Sequence, residues 1–147
     1  MADTTFLEKV KNFEDTAVKF FDADQDADLD LFIGSGGNLR TPQTRVMQDR
    51  LYVNDGSGNF SLNTKAFPNN GFNTSVVIPM DFDEDGDLDL FVGSRSVPKV
   101  YGAKPQHFLY ENDGTGKFKN VIKEVAPDLQ KLGMITDATL VLSLIHI

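Results

Sequence analysis

The sequence predicts an all-β fold made of repeated four-stranded antiparallel sheets, and three observations carry the prediction. Two Asp-rich nonapeptides, residues 22–30 and 81–89, stand 59 positions apart. Each is followed by one apolar pentad, Leu31-Phe32-Ile33-Gly34-Ser35 in the first copy and Leu90-Phe91-Val92-Gly93-Ser94 in the second. Further on, Leu51-Tyr52-Val53-Asn54-Asp55-Gly56-Ser57-Gly58-Asn59-Phe60 recurs at an offset of 58 as Leu109-Tyr110-Glu111-Asn112-Asp113-Gly114-Thr115-Gly116-Lys117-Phe118. Self-similarity at a fixed period marks a repeat architecture, in which each unit buries its apolar faces against its neighbours.

Each element of the unit has a local cause. Residues 17–21 and 76–80 are β-branched or apolar runs that enter the Asp-rich loop as strand A. Residues 29–33 and 88–92 leave it as strand B. Strand C is Leu51-Tyr52-Val53, or Leu109-Tyr110, and the Asn-Asp-Gly-x-Gly that follows is a tight hairpin leading to strand D at Phe60 or Phe118. Pro79 removes a ladder donor, which places strand A at a sheet edge. Residues 121–132 have room for a short helical turn that Pro127 limits. A third unit starts at Met134-Ile135-Thr136-Asp137-Ala138 and stops before any acidic loop.

Four-stranded sheets repeated at a fixed period, with strands such as Leu88-Asp89-Leu90-Phe91-Val92 apolar on both faces, are the blades of a β-propeller. The expected fold is a partial β-propeller: about two four-stranded antiparallel blades plus the first strand of a third. The units are residues 13–71, 72–132 and the truncated 133–147. A propeller needs about four blades or more, so this chain is expected to be a fragment whose outer blade faces are exposed apolar patches.

Composition bounds what such a fold does. With 147 residues, 40% hydrophobic content and 12 Phe, the chain is too apolar to be mainly disordered. It holds no apolar run of about 18 residues that would span a membrane. It has no Cys, and its 2 His are His107 and His146, which excludes disulfide scaffolds and Cys-based zinc sites. The first eight residues lack the basic start and apolar stretch of a signal peptide, so the compartment is not written there. The net charge of −8 disfavours nucleic acid, whose phosphates are held through Lys and Arg. That charge is local. The two nonapeptides hold five and six acidic residues and no basic one, while the other 129 residues carry 11 acidic and 14 basic.

The loops have the chemistry of a hard cation. Asp81, Asp83, Asp85 and Asp89 occupy positions 1, 3, 5 and 9, Gly86 position 6, and Asp87 offers its carbonyl at position 7. Calcium takes six to eight oxygen ligands, and alternation in a short turn brings several carboxylates together. An EF-hand begins alike but needs Glu at position 12 and flanking helices; here position 12 is Val92 or Ile33, and the flanks are strands. Asp and Gly are also common in plain turns, yet five or six unpaired carboxylates within nine residues repel one another unless a cation neutralises them. The first loop offers Asp22, Asp24, Asp26, Asp28 and Asp30, with Ala27 in place of Gly. If position 6 needs positive φ, Ala costs on the order of 1 kcal/mol. Two Ca²⁺ sites are expected, the second the stronger.

Asp81-Phe-Asp-Glu-Asp-Gly-Asp-Leu-Asp-Leu-Phe-Val-Gly93 resembles the calcium-loop and strand signature of FG-GAP/VCBS-type repeats, the bladed repeats also seen in integrin alpha-subunit propellers. The stretch from Gly93 through Val97-Pro98, Leu109-Tyr110-Glu111-Asn112-Asp113-Gly114 and Val125-Ala126-Pro127 to Gly133-Met134-Ile135-Thr136-Asp137-Ala138 is similar to large bacterial secreted VCBS-repeat proteins of the ASPIC/UnbV group. The resemblance covers roughly residues 13–140. It implies an extracellular or cell-surface propeller with structural calcium and supplies no settled biochemical activity. Residues 142–147 depart from the repeat and look like translated sequencing-adapter sequence, the alternative being a genuine apolar final strand, and His146 is excluded from any site.

Successive antiparallel strands reverse direction, so the A–B and C–D connections share one end of the blades and the B–C and D–A connections the other. Long loops on a rigid scaffold are where binding resides. Loops 35–50 and 94–107 are therefore the expected surface for a protein or glycan partner, with Arg40, Arg45, Arg95, Lys99, Tyr101, Lys104 and His107 in them. The leading reading is a calcium-stabilised fragment of a secreted binding or adhesion protein, not an enzyme. The rival is part of a secreted propeller hydrolase or lyase, but no nucleophile, base and orienter set is present. A cytoplasmic calcium sensor fails on the missing helices.

Overall fold

The computed structural model describes residues 12–38, 41–42 and 44–141; Arg40, His146 and the 142–147 tail lie outside the described residues. The fold is all-β. The first sheet takes the order β1 (Asp15–Phe21), β2 (Asp30–Ser35), β3 (Arg50–Asn54), β4 (Phe60–Asn63). The second repeats it with β5 (Asn73–Met80), β6 (Asp89–Ser96), β7 (Phe108–Asn112), β8 (Phe118–Asn120). Every pairing is antiparallel and consecutive. Phe21 faces Asp30, and Met80 faces Asp89 in the second copy, so the Asp-rich loop closes the same β-hairpin in both sheets. Pro79 lies in β5, an edge strand, where a missing N–H breaks no second ladder. After β8 come α1 (Ile122–Val125) and a 3₁₀ turn, Pro127–Lys131, divided at the proline.

The two sheets pack face to face. Phe21, Phe32 and Leu51 of the first meet Val77, Leu90, Val92, Phe108, Tyr110 and Phe118 of the second in one buried cluster. Ala66 and Phe67, from the connection between sheets, complete it: the Phe67 ring stacks on Phe118 at 4.9 Å and meets the Phe32 ring edge-on at 5.6 Å. Side chains alternate along a strand, so Phe91 and Leu109 point to the far face of the second sheet. There they join Val121 and Ile122 of the helical turn, with Met80 and Phe82. On the outer side of the first sheet Val18 and Phe20 are 63% and 52% exposed, the apolar outer face that an end blade presents.

The third unit differs from expectation, because residues 134–141 form no strand. Strand A pairs with strand B of its own blade in both sheets, and residues 134–141 have no such partner among the described residues. The segment still docks in the place a third blade would take. Thr16 Oγ1 lies 3.2 Å from the Gly34 carbonyl of its own sheet and 2.6 Å from the Thr74 carbonyl across the first seam. Ser75, 59 residues on, reaches the carbonyls of Gly93 and Ile135 in the same way. Close approach is required at both seams. A Cβ on Gly34 would stand 2.5 Å from Thr74 Cγ2, and one on Gly93 2.9 Å from Ile135 Cγ2. Among the described residues no helix is long and apolar enough to cross a membrane.

Candidate metal centre

Each Asp-rich loop is a knot of backbone N–H groups held by carboxylates. Position 1 reaches forward: Asp22 Oδ2 accepts from Ala27 N–H and Asp81 Oδ2 from Gly86 N–H, both at 3.1 Å. Position 5 makes a local turn, with Asp26 Oδ1 accepting from Asp28 N–H and Asp85 Oδ1 from Asp87 N–H, again at 3.1 Å. Position 9 is the buried pivot. Asp30 accepts from Ala23 N–H and Asn54 N–H, both at 2.8 Å, tying the loop to the end of β3. Asp89 repeats this with Phe82 N–H (3.1 Å) and Asn112 N–H (2.8 Å) at the end of β7.

These bonds gather Asp22, Asp24 and Asp30 in one loop, and Asp81, Asp83 and Asp89 in the other, with carboxylate oxygens within 4.8 Å of one another. The remaining candidates stand around the triads. Asp26 and Asp85 are held in their turns, and Asp28 and Asp87 lean toward the Asn-Asp-Gly hairpins. A Cβ on Gly56 would come within 3.1 Å of Asp28 Oδ2, and one on Gly114 within 3.4 Å of Asp87 Oδ2. Buried oxygens of Asp22, Asp24, Asp28 and Asp87 have no hydrogen-bond partner. Burying unpaired carboxylate is costly, and the cost appears in the acidities. Burial, reinforced by the neighbouring aspartates, raises the pKa of Asp24 and pushes Asp87 up to about 6. Burial also raises Asp89, although Asn112 and Phe82 N–H bonds work against it. An all-oxygen set of converging carboxylates with orphaned lone pairs fits a hard divalent cation.

Backbone conformation grades the two loops. Position 6 has φ +96° at Gly86 and φ +71° at Ala27, so the first loop carries an L-residue where the left-handed region is required. Position 4 is also left-handed, with φ +63° at both Gln25 and Glu84. Nothing in either side chain signals that, since neither is Gly, Asn or Asp.

At the opposite end, loops 35–50 and 94–107 touch. Lys99 N–H donates to Asn38 Oδ1 at 3.0 Å, and Lys99 Nζ lies 3.4 Å from Thr41 Oγ1. Tyr101 is fully exposed, and Arg45, Arg95 and Lys104 in the same two loops are exposed as well.

His107 does not belong to this surface. It is fully buried, its Nδ1 accepts from Ser94 N–H at 3.0 Å, and its Nε2 stands 2.8 Å from the Gly133 carbonyl. Those partners fix the neutral tautomer with the proton on Nε2, and burial lowers its pKa. The loop position of His107 hid this, because burial is supplied by the segment that follows the second sheet. Asp49, 58 residues earlier, holds the same place in the first seam: it accepts from Ser35 N–H (2.9 Å), Thr74 Oγ1 (2.9 Å) and Asn70 Nδ2 (2.8 Å). The repeat register was the signal for Asp49, since it precedes Leu51 as His107 precedes Leu109.

Residues 22–92 match the family model of the FG-GAP-like repeat, from the first loop's opening aspartate to the middle of β6. No curated protein and no solved structure matches the chain.

Proposed function

We propose that this chain, an FG-GAP-type repeat protein, is a calcium-bound β-propeller segment of a secreted or cell-surface binding or adhesion protein, with the ion as a structural staple. The observation that supports it is the pair of carboxylate triads in matching register, with buried oxygens that no protein donor satisfies on Asp22, Asp24 and Asp28 in the first loop and on Asp87 beside the triad in the second. Asp22, Asp24, Asp26 and Asp30 with the Asp28 carbonyl would hold one ion. Asp81, Asp83, Asp85 and Asp89 with the Asp87 carbonyl would hold the other. The ion supplies positive charge. The protein places that charge where strand A turns into strand B and, through Asp30 and Asp89, where strand C ends, so three strands of a blade are pinned together.

Extracellular modules bind calcium at about 0.1 to 1 mM, which agrees with a secreted or surface location. The partner surface is the joined end of loops 35–50 and 94–107, where Tyr101 and exposed Arg45, Arg95, Lys99 and Lys104 give an aromatic and cationic face suited to a protein or glycan. The role proposed for the chain is non-enzymatic, and His107, the one histidine among the described residues, serves the seam, with both ring nitrogens engaged by backbone. The test is calorimetric titration with CaCl₂ alongside melting curves with and without chelator. Two sites and a melting temperature several degrees higher with saturating calcium are expected; a melt indifferent to calcium would sink the proposal.

A further inference from the structure

The two candidate metal loops are not independent parts, because each repeat sends a side chain to the Asp-rich loop of the other. Asn112, at the end of β7, is buried and spans the gap. Its Nδ2 donates to the Ala23 carbonyl at position 2 of the first loop (2.9 Å) and to the Leu88 carbonyl at position 8 of the second (3.1 Å). Its own N–H donates to Asp89 Oδ1, the pivot of the second triad. A second strut runs the other way, from Gln25 Nε2 at position 4 of the first loop to the Gly86 carbonyl at position 6 of the second (3.3 Å). Asn54 is the repeat equivalent of Asn112 and shows what the bridge adds. Its N–H holds Asp30 and its Nδ2 reaches the Leu29 carbonyl (3.3 Å), so it serves its own loop.

We propose that the two sites are thermodynamically coupled, with Asn112 as the positioning residue that transmits occupancy of one loop to the other. This rests on the calcium reading above. Filling the first site fixes the loop that carries Ala23 and Gln25. With Ala23 fixed, the amide of Asn112 is held, and through its N–H so is Asp89. Gly86, between the ligands of the second triad, is held by Gln25. The second ion then finds its loop already ordered, and the ordering cost is borne once rather than twice. Linkage makes the effect reciprocal, so the sites cooperate positively by about fivefold.

The test is CaCl₂ titration of the full chain by calorimetry and by chelator competition. Wild type should show filling of one site tightening the other by about fivefold. Asn112→Ala should reduce that factor to about one, whereas Asn54→Ala should weaken the first site and leave the factor in place. Gln25→Ala, at an exposed position that folding tolerates, should lower the factor to about twofold and guards against misfolding of the first variant. Hydrogen exchange gives an independent readout. With the second site disabled by Asp83→Asn, calcium at the first should still slow exchange of the Asn112 amide. Two independent sites in wild type, or a factor unchanged by Asn112→Ala, would overturn the coupling alone; absence of calcium binding in wild type would overturn the function it rests on.

Discussion

Replacing Asp49 by Asn tests whether the seam between the two sheets is held by a carboxyl group that folding prefers protonated. Asp49 is fully buried, and burial pushes its pKa from 3.8 up to about 7, against the opposing pull of the Ser35 N–H, Thr74 hydroxyl, Arg50 and Asn70. The native state therefore binds the proton more tightly than the unfolded chain does. The contribution to stability is complete below about pH 4, declines as pH rises toward about 7, and is gone above it. Roughly three pKa units correspond to about 4 kcal/mol at most, of which about 3 kcal/mol falls between pH 5 and 8. Asn has nearly the same shape and does not titrate, and its carbonyl oxygen can still accept from Ser35 N–H. The assay is urea unfolding of both proteins at pH 5, 6, 7 and 8 in saturating calcium. The aspartates of the loops shift in the same direction, but they are common to both proteins and cancel in the difference. Wild type should lose about 3 kcal/mol relative to Asp49→Asn across this range. Parallel profiles would refute the reasoning, as would a wild type that gains on the variant with rising pH.

The second seam should respond with the opposite sign. Burial lowers the pKa of His107 below its ordinary 6.5, so the stability it contributes is present above about pH 6.5 and is lost as pH falls below it. Lower protection of the Ser94 amide in mild acid, measured against its intrinsic exchange rate and absent in a His107→Gln variant, is the expected sign, and a protection factor unchanged with pH in wild type would contradict it. In the first metal loop, Ala27→Gly should relieve the left-handed strain at φ +71° and tighten calcium binding there by about fivefold, equivalent to about 1 kcal/mol. Gly86→Ala should weaken the second site by a similar factor through backbone strain alone, since no atom lies within 4 Å of the Cβ it would gain. Equal affinities before and after either change would show that φ at position 6 is not what grades the two sites.

The strands, their order and the hairpin formed by each Asp-rich loop were legible because their determinants are local and occur twice. Leu90-Phe91-Val92 is a strand for reasons contained in its own side chains, and Asp81 to Asp89 forms a turn whose bonds close within nine residues. What the sequence hid lies between repeats. His107 reads as an exposed loop imidazole until the segment at Gly133 closes over it. Ala23 reads as filler between two aspartates, yet it is wholly buried in the cluster between the sheets, and Asn112 of the next sheet bonds to its carbonyl. Residues 134–141 dock as a strand A but form no ladder, because a strand also needs its own partner.

The repeats have diverged at these same interfaces. Where the loops keep their aspartates in register, the seam positions exchange chemistry. Asp49 is answered by His107, and the Thr74 that meets Gly34 is answered by Ile135 against Gly93. Arg50, paired with Asp15 and set over the Phe13 ring, is answered by Phe108 stacked on Tyr110. Identical seams would let any blade pack on any other, and a chain of near-identical sheets would then have many registers of nearly equal energy. A carboxyl clasp that meets Asn70 and Thr74, and an imidazole clasp that meets a bare carbonyl, cannot exchange partners without leaving buried polar groups unpaired. Each mismatch of that kind costs about 1 to 3 kcal/mol, enough to fix the order of blades.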